Sequence, residues 1–242
     1  KTENQKSFED TLGDFLTLPP SEQNAFDLFP TAWSSTFDGV DTSGDFRGAD
    51  DARLKWLFRQ VDFKGKSVLE LGPLEAGHTC MMEKAGASVL GIESNKGAFI
   101  RCLIAKNYLD LSAKFLLGDF EKMNFSGQSY DIVIASGVLY HMKDPVGLLK
   151  AISKTSDKLF IWTHYFEPNL SKWNHSLAPQ LQSMKWKHKE PIIERYKDMD
   201  IRMVRQDYGE ALGWSGFCGG SDIFSNWIYR EDLLKLLRKL GF

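Results

Sequence analysis

The stretch Ser67-Val-Leu-Glu-Leu-Gly-Pro-Leu-Glu-Ala-Gly77 decides the fold of this chain. It predicts an apolar strand that runs into a glycine-containing turn and then into a helix. A second apolar segment ends in Gly91-Ile-Glu93, about twenty residues farther on. This layout is typical of nucleotide-binding α/β folds, in which the turn approaches the ligand and the acid accepts hydrogen bonds from ribose hydroxyls. We therefore expect a site for the adenosine half of a nucleotide-like cofactor.

The turn differs from the two common phosphate-binding patterns. Leu74 stands where G-x-G-x-x-G has its middle glycine, and Gly77 is followed by His78-Thr79 instead of the Lys-Ser/Thr of a P-loop. Pro73 has no amide hydrogen to offer a diphosphate. The turn therefore favours a cofactor without a pyrophosphate.

Alternating apolar segments and helical patterns predict the rest of the core. We expect strands at 67–72, 88–93, 114–118, 130–136 and 158–164, with helices at about 77–86, 96–109 and 145–155 between them. Further helices are predicted near 50–61 and over 230–240. Strand–helix alternation with near-continuous apolar strands indicates an α/β fold with a doubly wound, mostly parallel sheet.

The chain divides into three predicted parts. Residues 1–60 form an N-terminal cap or helical segment, rich in aromatic side chains and partly irregular. Residues 61–165 form the Rossmann-like, cofactor-binding core, and residues 166–242 hold a lid insertion after the fifth strand and the C-terminal part of the core. The lid hypothesis depends on weak strand signals at 165–215, on Trp173, Trp186, Trp214 and the basic run 185–189, and on a glycine-rich loop at 216–220 that runs into Ser225-Asn-Trp227. The chain stops where another strand is expected, so we predict that one or two final strands lie beyond it.

Polar and small residues follow the third, fourth and fifth strands. Because the carboxyl ends of parallel strands share one edge of a sheet, these residues are candidates for the site. They are Asp119 and Phe120 for the adenine, Ser136 and Gly137 for the floor of the crevice, and Tyr140, His141, His164 and Tyr165 for the reacting centre. Histidine titrates near neutrality and is suited to taking a proton from a substrate.

Composition and charge argue against several other classes. The formal net charge is −2 and the isoelectric point is near 6.3, which argues against a nucleic-acid partner. Three widely spaced cysteines without a C-x-x-C pair indicate a reducing compartment, so we predict a cytoplasmic protein. We expect no membrane span, because no apolar run approaches about 18 residues. The five histidines lack metal-ligand spacing, so no metal is expected.

With these residues in hand, the segment from about Lys64 to His164 resembles the class I, Rossmann-like S-adenosylmethionine-dependent methyltransferases. The resemblance rests on Val68–Gly72 with Gly77, on Gly91-Ile-Glu93, on Gly118-Asp119 and on Tyr130–Ser136. It implies S-adenosylmethionine as cofactor and in-line methyl transfer to an acceptor, for which a small molecule is our expectation. The implied cofactor-binding residues are Glu70, Gly72, Pro73, Gly77, Glu93, Ser94, Asp119, Phe120, Ser136 and Gly137. The implied catalytic residues, which position or deprotonate the acceptor, are His141, His164 and Tyr165.

Three alternatives remain open at this point. An NAD-dependent oxidoreductase shares the glycine turn and the ribose-binding acid. A methyltransferase-like domain without activity, acting as a scaffold, is compatible with the irregular turn. The stretch Gly137-Val-Leu-Tyr-His141 is also similar to the tRNA wobble-uridine carboxymethyltransferases. The sequence leaves the identity of the acceptor, the methylated atom and the oligomeric state undecided.

Overall fold

The computed structural model describes residues 13–123, 125, 127–168, 190–213, 219–220 and 222–242. The helices are α1 (Gln23–Phe26), α2 (Ala52–Phe58), α3 (Gly77–Lys84), α4 (Lys96–Tyr108), α5 (Pro145–Ile152) and α6 (Arg230–Leu240). The strands are β1 (Ser67–Leu71), β2 (Ser88–Glu93), β3 (Lys114–Leu117), β4 (Ile132–Ser136), β5 (Leu159–Trp162), β6 (Ile192–Tyr196), β7 (Met199–Asp207) and β8 (Phe224–Ile228). Short 3-10 helices lie at Gly48–Asp50, Phe120–Lys122, Leu139–His141 and Gly209–Gly213.

Strands β1 to β5 form one parallel sheet in the order β3-β2-β1-β4-β5. The predicted fold class is confirmed, and the five predicted strands differ from the observed ones by at most two residues at an end. The strand order reverses between β1 and β4. Ligands of open α/β sheets bind in the crevice at this point, beyond the carboxyl ends of the strands.

Both faces of the parallel sheet are covered. Val68 and Ile134 point into a core that contains α2 and residues of α3, whereas Leu69 and Val133 point into a second core with α5 and α6. Because neighbouring residues of one strand face opposite cores, the central strands β1 and β4 are apolar at most positions, with Glu70 as the charged exception. This packing fixes where the strand ends lie, and with them the site.

Polar side chains cap the N-termini of α4 and α5. Asp144 Oδ1 accepts a hydrogen bond from the amide of Gly147 at 2.7 Å, and Pro145 follows as the first helical residue of α5. Asn95 Oδ1 accepts from the amide of Ala98 at 2.9 Å at the start of α4. Both caps satisfy amides that the helix itself leaves unpaired.

A second sheet is antiparallel, with the order β6-β7-β8. The weak strand signals at 165–215 predicted a lid insertion without a sheet, which is wrong because β6 and β7 lie in this range. Ser225–Trp227 lies in β8 and not in a glycine-rich loop. Two residues, Lys197 and Asp198, connect β6 to β7, and Lys197 has φ +55°. The alternation of buried Ile201 and Met203 with the more exposed Asp200 and Arg202 in β7 is the signal that could have revealed this sheet.

The N-terminal segment packs on the core through aromatic side chains. Phe26, Trp33, Phe37 and Tyr108 of α4 form one cluster with ring centroids 4.8 to 6.3 Å apart in the contacting pairs. The indole Nε1 of Trp33 donates to the carbonyl of Phe26 at 2.9 Å. These contacts account for the density of aromatic residues in this part of the sequence.

Several residues singled out in the sequence lie outside the described residues. They are Trp173, Trp186, Trp214, the basic run 185–189 and residues 216–218 of the glycine-rich loop. Within the described residues, no helix is both long and apolar enough to cross a bilayer. In the same part of the chain, no three His, Cys, Asp or Glu side chains are grouped as metal ligands.

Candidate functional site

A cleft of about 530 Å³ lies at the point where the strand order reverses. Its walls come from the segments that follow β1, β2, β3, β4 and β7, from the last residue of β5, and from the N-terminal segment up to Arg53. A cleft of this size is typical of sites for cofactors and small ligands. Ten of the predicted site residues line it: Gly72, Pro73, Gly77, Glu93, Ser94, Phe120, Ser136, Gly137, Tyr140 and His141.

The backbone amides of the turn after β1 are already hydrogen-bonded within the protein. The amide of Gly72 donates to Ile92 O at 2.9 Å, and that of Leu74 donates to Glu93 Oε2 at 3.2 Å. The amides of Glu75 and Ala76 donate to Pro73 O at 2.6 and 3.0 Å. From position 72 to 76, therefore, every amide already has a partner and Pro73 has none, so this turn offers a diphosphate no donors.

Three residues of this turn adopt left-handed backbone geometry. Gly72 has φ +64°, and a Cβ there would come within 3.0 Å of Val138 Cγ2. Leu74 and Ala76 have φ +57° and +60°, which costs an L-residue about 1–2 kcal/mol each. The chain thus forms a glycine-like turn without the middle glycine, at the expense of local strain.

Glu93 lies at the tip of β2, beside the turn. Only 6% of the residue is exposed, and burial raises the pKa of its carboxyl, with the amides of Asn95 and Leu74 among the donors that oppose the shift. An ionised carboxylate has about four acceptor positions, so Glu93 keeps capacity for ligand hydroxyls. This geometry fits a ribose at the tip of β2.

Ser136 and Gly137 form the floor of the cleft at the end of β4. The buried Ser136 Oγ has no hydrogen-bond partner among the described residues. Gly137 has φ +83°, a conformation that other residues rarely adopt, and its amide donates to Trp162 O at 2.8 Å. A buried hydroxyl without a partner on the floor of a cleft is suited to a ligand atom.

Glu70 lies beneath the turn, not among the residues that line the cleft. It is 2% exposed and accepts a hydrogen bond from the hydroxyl of Thr79 in α3. Burial raises the pKa of its carboxyl to about 7, the Thr79 bond opposes the shift, and the nearby Glu93 adds to it. Its contact with the methionine part of a cofactor stays a prediction.

Asp119 is placed beside the cleft, while the adjacent Phe120 lines it. The Asp119 carboxylate caps the 3-10 helix that follows by accepting from the amide of Glu121 at 2.9 Å, and it lies 3.4 Å from Lys122 Nζ. The expected contact of Asp119 with an adenine amino group stays a prediction.

His141 lines the cleft and is held by a residue from the antiparallel sheet. Its Nδ1 lies 2.9 Å from the hydroxyl of Tyr208, which follows β7. Burial, together with the nearby His164, lowers the pKa of His141 to about 4, so the imidazole is neutral at physiological pH. Its Nε2 has no hydrogen-bond partner among the described residues.

The antiparallel sheet also holds the backbone of the loop around His141. Trp227 Nε1 donates to Tyr140 O at 3.0 Å, and the amide of Asn226 donates to Met142 O at 2.9 Å. A Cβ on Gly220 would come within 2.5 Å of His141 O, so only glycine fits there. The second sheet therefore serves as a support for the loop after β4.

His164 and Tyr165 do not line the cleft. The ring of His164 stacks on that of Tyr140, with centroids 4.2 Å apart and planes inclined by 14°, and it also contacts Trp227. Tyr165 is 40% exposed and lies near Arg230. Of the three predicted catalytic side chains, the structure brings only His141 into the cleft.

Sequence reasoning missed a hydrogen-bonded group of three side chains at the cleft, formed by Asp51, Arg53 and His78. Arg53 of α2 and His78 of α3 line the cleft, and both hydrogen-bond to the buried carboxylate of Asp51. Burial lowers the pKa of His78, and the hydrogen bond to Asp51 opposes this shift. No local pattern marks these residues, because they come from separate helices.

Sequence reasoning also missed Glu75, which clamps the N-terminal segment to the turn. The residue is 1% exposed and accepts from the amides of Ser34 and Ser35 at 2.9 and 2.7 Å. The Nε atom of Arg101 in α4 donates to it at 3.0 Å. Glu75 therefore makes the N-terminal segment a fixed wall of the cleft.

The comparison with protein families agrees with this geometry. Residues 69–156 match the family model described as a methyltransferase domain. The matched region is a class I S-adenosylmethionine-dependent methyltransferase domain. It includes the turn, the tip of β2 and the loop with His141, so the predicted family is confirmed for the core.

Curated relatives share the methyltransferase domain and differ in acceptor. The chain is 30% identical over 117 residues to the ubiquinone biosynthesis O-methyltransferase of Coxiella burnetii, across 46% of this chain and 49% of that protein. It is 31% identical over 137 residues to the tRNA U34 carboxymethyltransferase of Pseudomonas paraeruginosa, across 56% of this chain and 39% of that protein. The chain thus spans about half the length of the curated relatives it matches, or less.

Solved structures with a similar fold match a larger part of this chain than the curated relatives do. The N-terminal domain of EvdMO1, crystallised with SAH and D-fucose, matches with a TM-score of 0.66 and 23% identity, across 91% of this chain and 85% of that chain. An S-adenosylmethionine-dependent methyltransferase from Mesorhizobium loti matches with a TM-score of 0.53 and 14% identity, across 80% of this chain and 83% of that chain. At these identities the likeness concerns the fold.

Proposed function

We propose that this chain is an enzyme that binds S-adenosylmethionine in the cleft and transfers its methyl group to a small-molecule acceptor. Glu93 would bind the ribose hydroxyls, and Phe120 would lie against the adenine. Ser136 Oγ and the turn after β1 would face the thioether and methionine part. When bound, the cofactor supplies a methyl group on a sulfonium centre, which reacts by in-line displacement.

The observation that carries this proposal is the hydrogen-bonded state of the turn. A dinucleotide needs amide donors for its pyrophosphate, and positions 72 to 76 have none to give. A cofactor with a ribose but no phosphate makes no such demand. Together with the match of residues 69–156 to a methyltransferase domain, this argues against the NAD-dependent oxidoreductase, which the glycine turn and Glu93 alone did not exclude.

His141 is the residue that we assign to the acceptor. Its neutral imidazole lies in the cleft, Tyr208 fixes one ring nitrogen, and Nε2 is available to a bound acceptor. Depending on the tautomer, Nε2 would accept the proton of an acceptor hydroxyl or orient the acceptor as a donor. We assign His164 and Tyr165 no contact with the acceptor, because neither is among the described residues that line the cleft.

The extent of the acceptor site belongs to the same proposal. Residues 1–60 would form a cap, 61–165 the cofactor-binding core, and 166–242 the support of the reacting loop together with a lid. A small-molecule acceptor agrees with the balanced charge of the chain and with the aromatic wall of Phe46, Tyr140 and Trp162. The likeness to a tRNA carboxymethyltransferase makes tRNA the acceptor to compare. A cytoplasmic location stays a prediction from the cysteine pattern.

Isothermal titration calorimetry with S-adenosylhomocysteine (SAH) and with NADH tests which cofactor the cleft binds. We expect SAH to bind and NADH not to bind. Replacing Glu93 with glutamine should weaken SAH binding by roughly 10-fold or more, since a hydrogen bond to a charged group contributes about 1.5–3 kcal/mol. The matched control is Glu121→Gln, an exposed glutamate outside the cleft. Binding of NADH in preference to SAH would refute the proposal.

Transfer of a labelled methyl group tests whether the domain is active. Purified protein with S-[methyl-³H]adenosylmethionine should label compounds in a small-molecule library, and His141→Gln should reduce the label while leaving SAH affinity unchanged. Label in tRNA alone would replace the small-molecule acceptor by tRNA. SAH binding without transfer to either pool would favour the inactive scaffold.

A further inference from the structure

Among the described residues, the part of the cleft around His141 has no side chain that is ionised at neutral pH. We call this part the acceptor half. Burial raises the pKa of the Tyr140 and Tyr208 hydroxyls and lowers that of His141, so these three side chains are neutral. The residues of the acceptor half come from the segments after β4 and β7 and from the end of β5: Tyr140, His141, Met142, Trp162, Tyr208, Ala211, Gly219 and Gly220.

Contacts within the acceptor half hold its members together around His141. Tyr208 lies 2.9 Å from His141 Nδ1 and accepts at its backbone carbonyl from the amide of Ala211 at 3.1 Å. The rings of Tyr140 and Trp162 have centroids 6.2 Å apart. An acceptor at His141 Nε2 would therefore be surrounded by aromatic rings, neutral hydroxyls and backbone groups.

The charged residues next to these segments are paired with one another outside the cleft. Lys143 Nζ lies 3.3 Å from Asp222 Oδ1, and Arg205 Nε lies 2.7 Å from Asp207 Oδ1. None of these four residues lines the cleft. They therefore give a bound acceptor no counter-ion.

Arg53 is the charged residue that contacts the acceptor half, since its Cζ lies 4.4 Å from the ring centroid of Trp162. Its Nε lies 3.0 Å from both carboxylate oxygens of the buried Asp51, so the pair has no net charge. A charged acceptor group at His141 would lose its water and gain no opposite charge from the described residues. An ion buried without a partner costs far more free energy than a buried hydroxyl that is hydrogen-bonded.

We propose that the acceptor is an uncharged hydroxyl compound and that its hydroxyl oxygen receives the methyl group. The inference rests on the proposed function, and it names the substrate class and the methylated atom of the same site. Alkyl amines and carboxylic acids are ions at neutral pH, and a thiol reacts as its anion. An alcohol or a phenol is neutral and has a proton that a neutral imidazole can take.

The contacts of His141 fit the removal of that proton. The hydroxyl of Tyr208 lies 3.4 Å from His141 O, so it can donate to this carbonyl while its oxygen accepts from Nδ1–H of the imidazole. Nε2 then has a lone pair for the acceptor. The acceptor oxygen would form a bond to the methyl carbon, the electron pair of the broken carbon–sulfur bond would stay on sulfur, and the proton would pass to Nε2.

Labelling of a small-molecule metabolite extract tests the charge of the acceptor. The extract is treated with N-ethylmaleimide to block thiols, incubated with the protein and S-[methyl-³H]adenosylmethionine, and exposed to mild alkali, which removes methyl esters. The flow-through of anion- and cation-exchange columns should contain roughly 10-fold or more label than either retained fraction. Hydroiodic acid should release this label as methyl iodide, which identifies a methyl ether. Label that is mainly retained on a column, prevented by thiol blocking or removed by alkali would overturn the inference.

A cation introduced into the acceptor half tests the same inference from the side of the protein. Ala211 lines the cleft, whereas the next residue, Leu212, is 45% exposed and does not line it. Ala211→Lys should reduce the label in the neutral fraction roughly 10-fold or more and raise the share in the anionic fraction, and the control Leu212→Lys should match the wild type. Both variants should bind SAH as the wild type does, since the cofactor does not contact this wall.

Wild-type labelling of the neutral fraction by Ala211→Lys would overturn the inference, because the acceptor would not meet this half of the cleft. Thermal unfolding checks that the variant folds, and if it does not, the charge of the wild-type products decides. SAH binding without label in any fraction would mean that the proposed function has failed, and the inference with it. Label on a charged product would refute the inference alone.

Discussion

Replacing Glu70 with glutamine should make the unfolding free energy of this protein less dependent on pH. The side chain is 2% exposed, and burial raises the pKa of its carboxyl from 4.5 to about 7. Between these values the folded chain keeps a proton that the unfolded chain has lost. The unfolding free energy of the wild type therefore falls as the pH rises through this window.

The magnitude follows from the same two values. One pKa unit corresponds to about 1.4 kcal/mol, so full ionisation of Glu70 in the folded chain costs about 3 kcal/mol. Glutamine carries no charge at any pH, and its carbonyl oxygen can accept the hydrogen bond of Thr79 that Glu70 accepts now. The variant should resemble the wild type at about pH 5 and exceed it by up to about 3 kcal/mol at about pH 8.

Urea unfolding at several pH values between about 5 and 8, without added cofactor, measures this difference. The difference between wild type and variant isolates Glu70 from the other titrating groups. Glu22→Gln, at an exposed position, is the control and should follow the wild type at every pH. Parallel curves for the wild type and Glu70→Gln over the whole range would refute the assignment of the raised pKa to this carboxyl.

Three further predictions concern the loop after β4 and the N-terminal wall. Tyr208→Phe should lower kcat for methyl transfer roughly 10-fold with little change in KM or SAH affinity, because His141 loses the partner of its Nδ1. The control Tyr196→Phe should have no effect. Equal kcat values for the wild type and Tyr208→Phe would contradict this prediction. The ring signals of His141 should titrate near pH 4 in an NMR experiment, and because this value lies below that of the unfolded chain, the contribution of neutral His141 to stability is lost as the pH falls through about 6.5 to 4; a midpoint above about 6 would disprove the burial argument. Glu75→Gln should cost about 3 kcal/mol in urea unfolding, since it leaves the buried charge of Arg101 without its carboxylate, and a cost below about 1 kcal/mol would show that the clamp contributes little.

The local pattern of residues in the sequence determined the parallel sheet and the site residues that directly follow its strands. The strands from Val68 to Ile134 are apolar on both faces, and such runs between helical patterns leave few arrangements other than a covered parallel sheet. Because parallel strands end at one edge, the residues after each strand were predicted together, and Glu93, Ser136, Gly137 and His141 do line one cleft. The departure from the glycine pattern at Pro73 and Leu74 also predicted a turn suited to a cofactor without a diphosphate.

Only the tertiary structure decided which distant residues meet at that edge. The Asp51–His78 contact joins residues 27 positions apart, and the His141–Tyr208 contact joins residues 67 positions apart. Neither spacing leaves a periodic signal, since each contact depends on how one segment packs on another. The same reason explains why His164 was expected at the reacting centre. Its position after β5 was predicted correctly, but its ring stacks on Tyr140 and is not among the described side chains that line the cleft. Sequence specifies where a strand ends, whereas the direction of a side chain beyond that end is set by its neighbours in space.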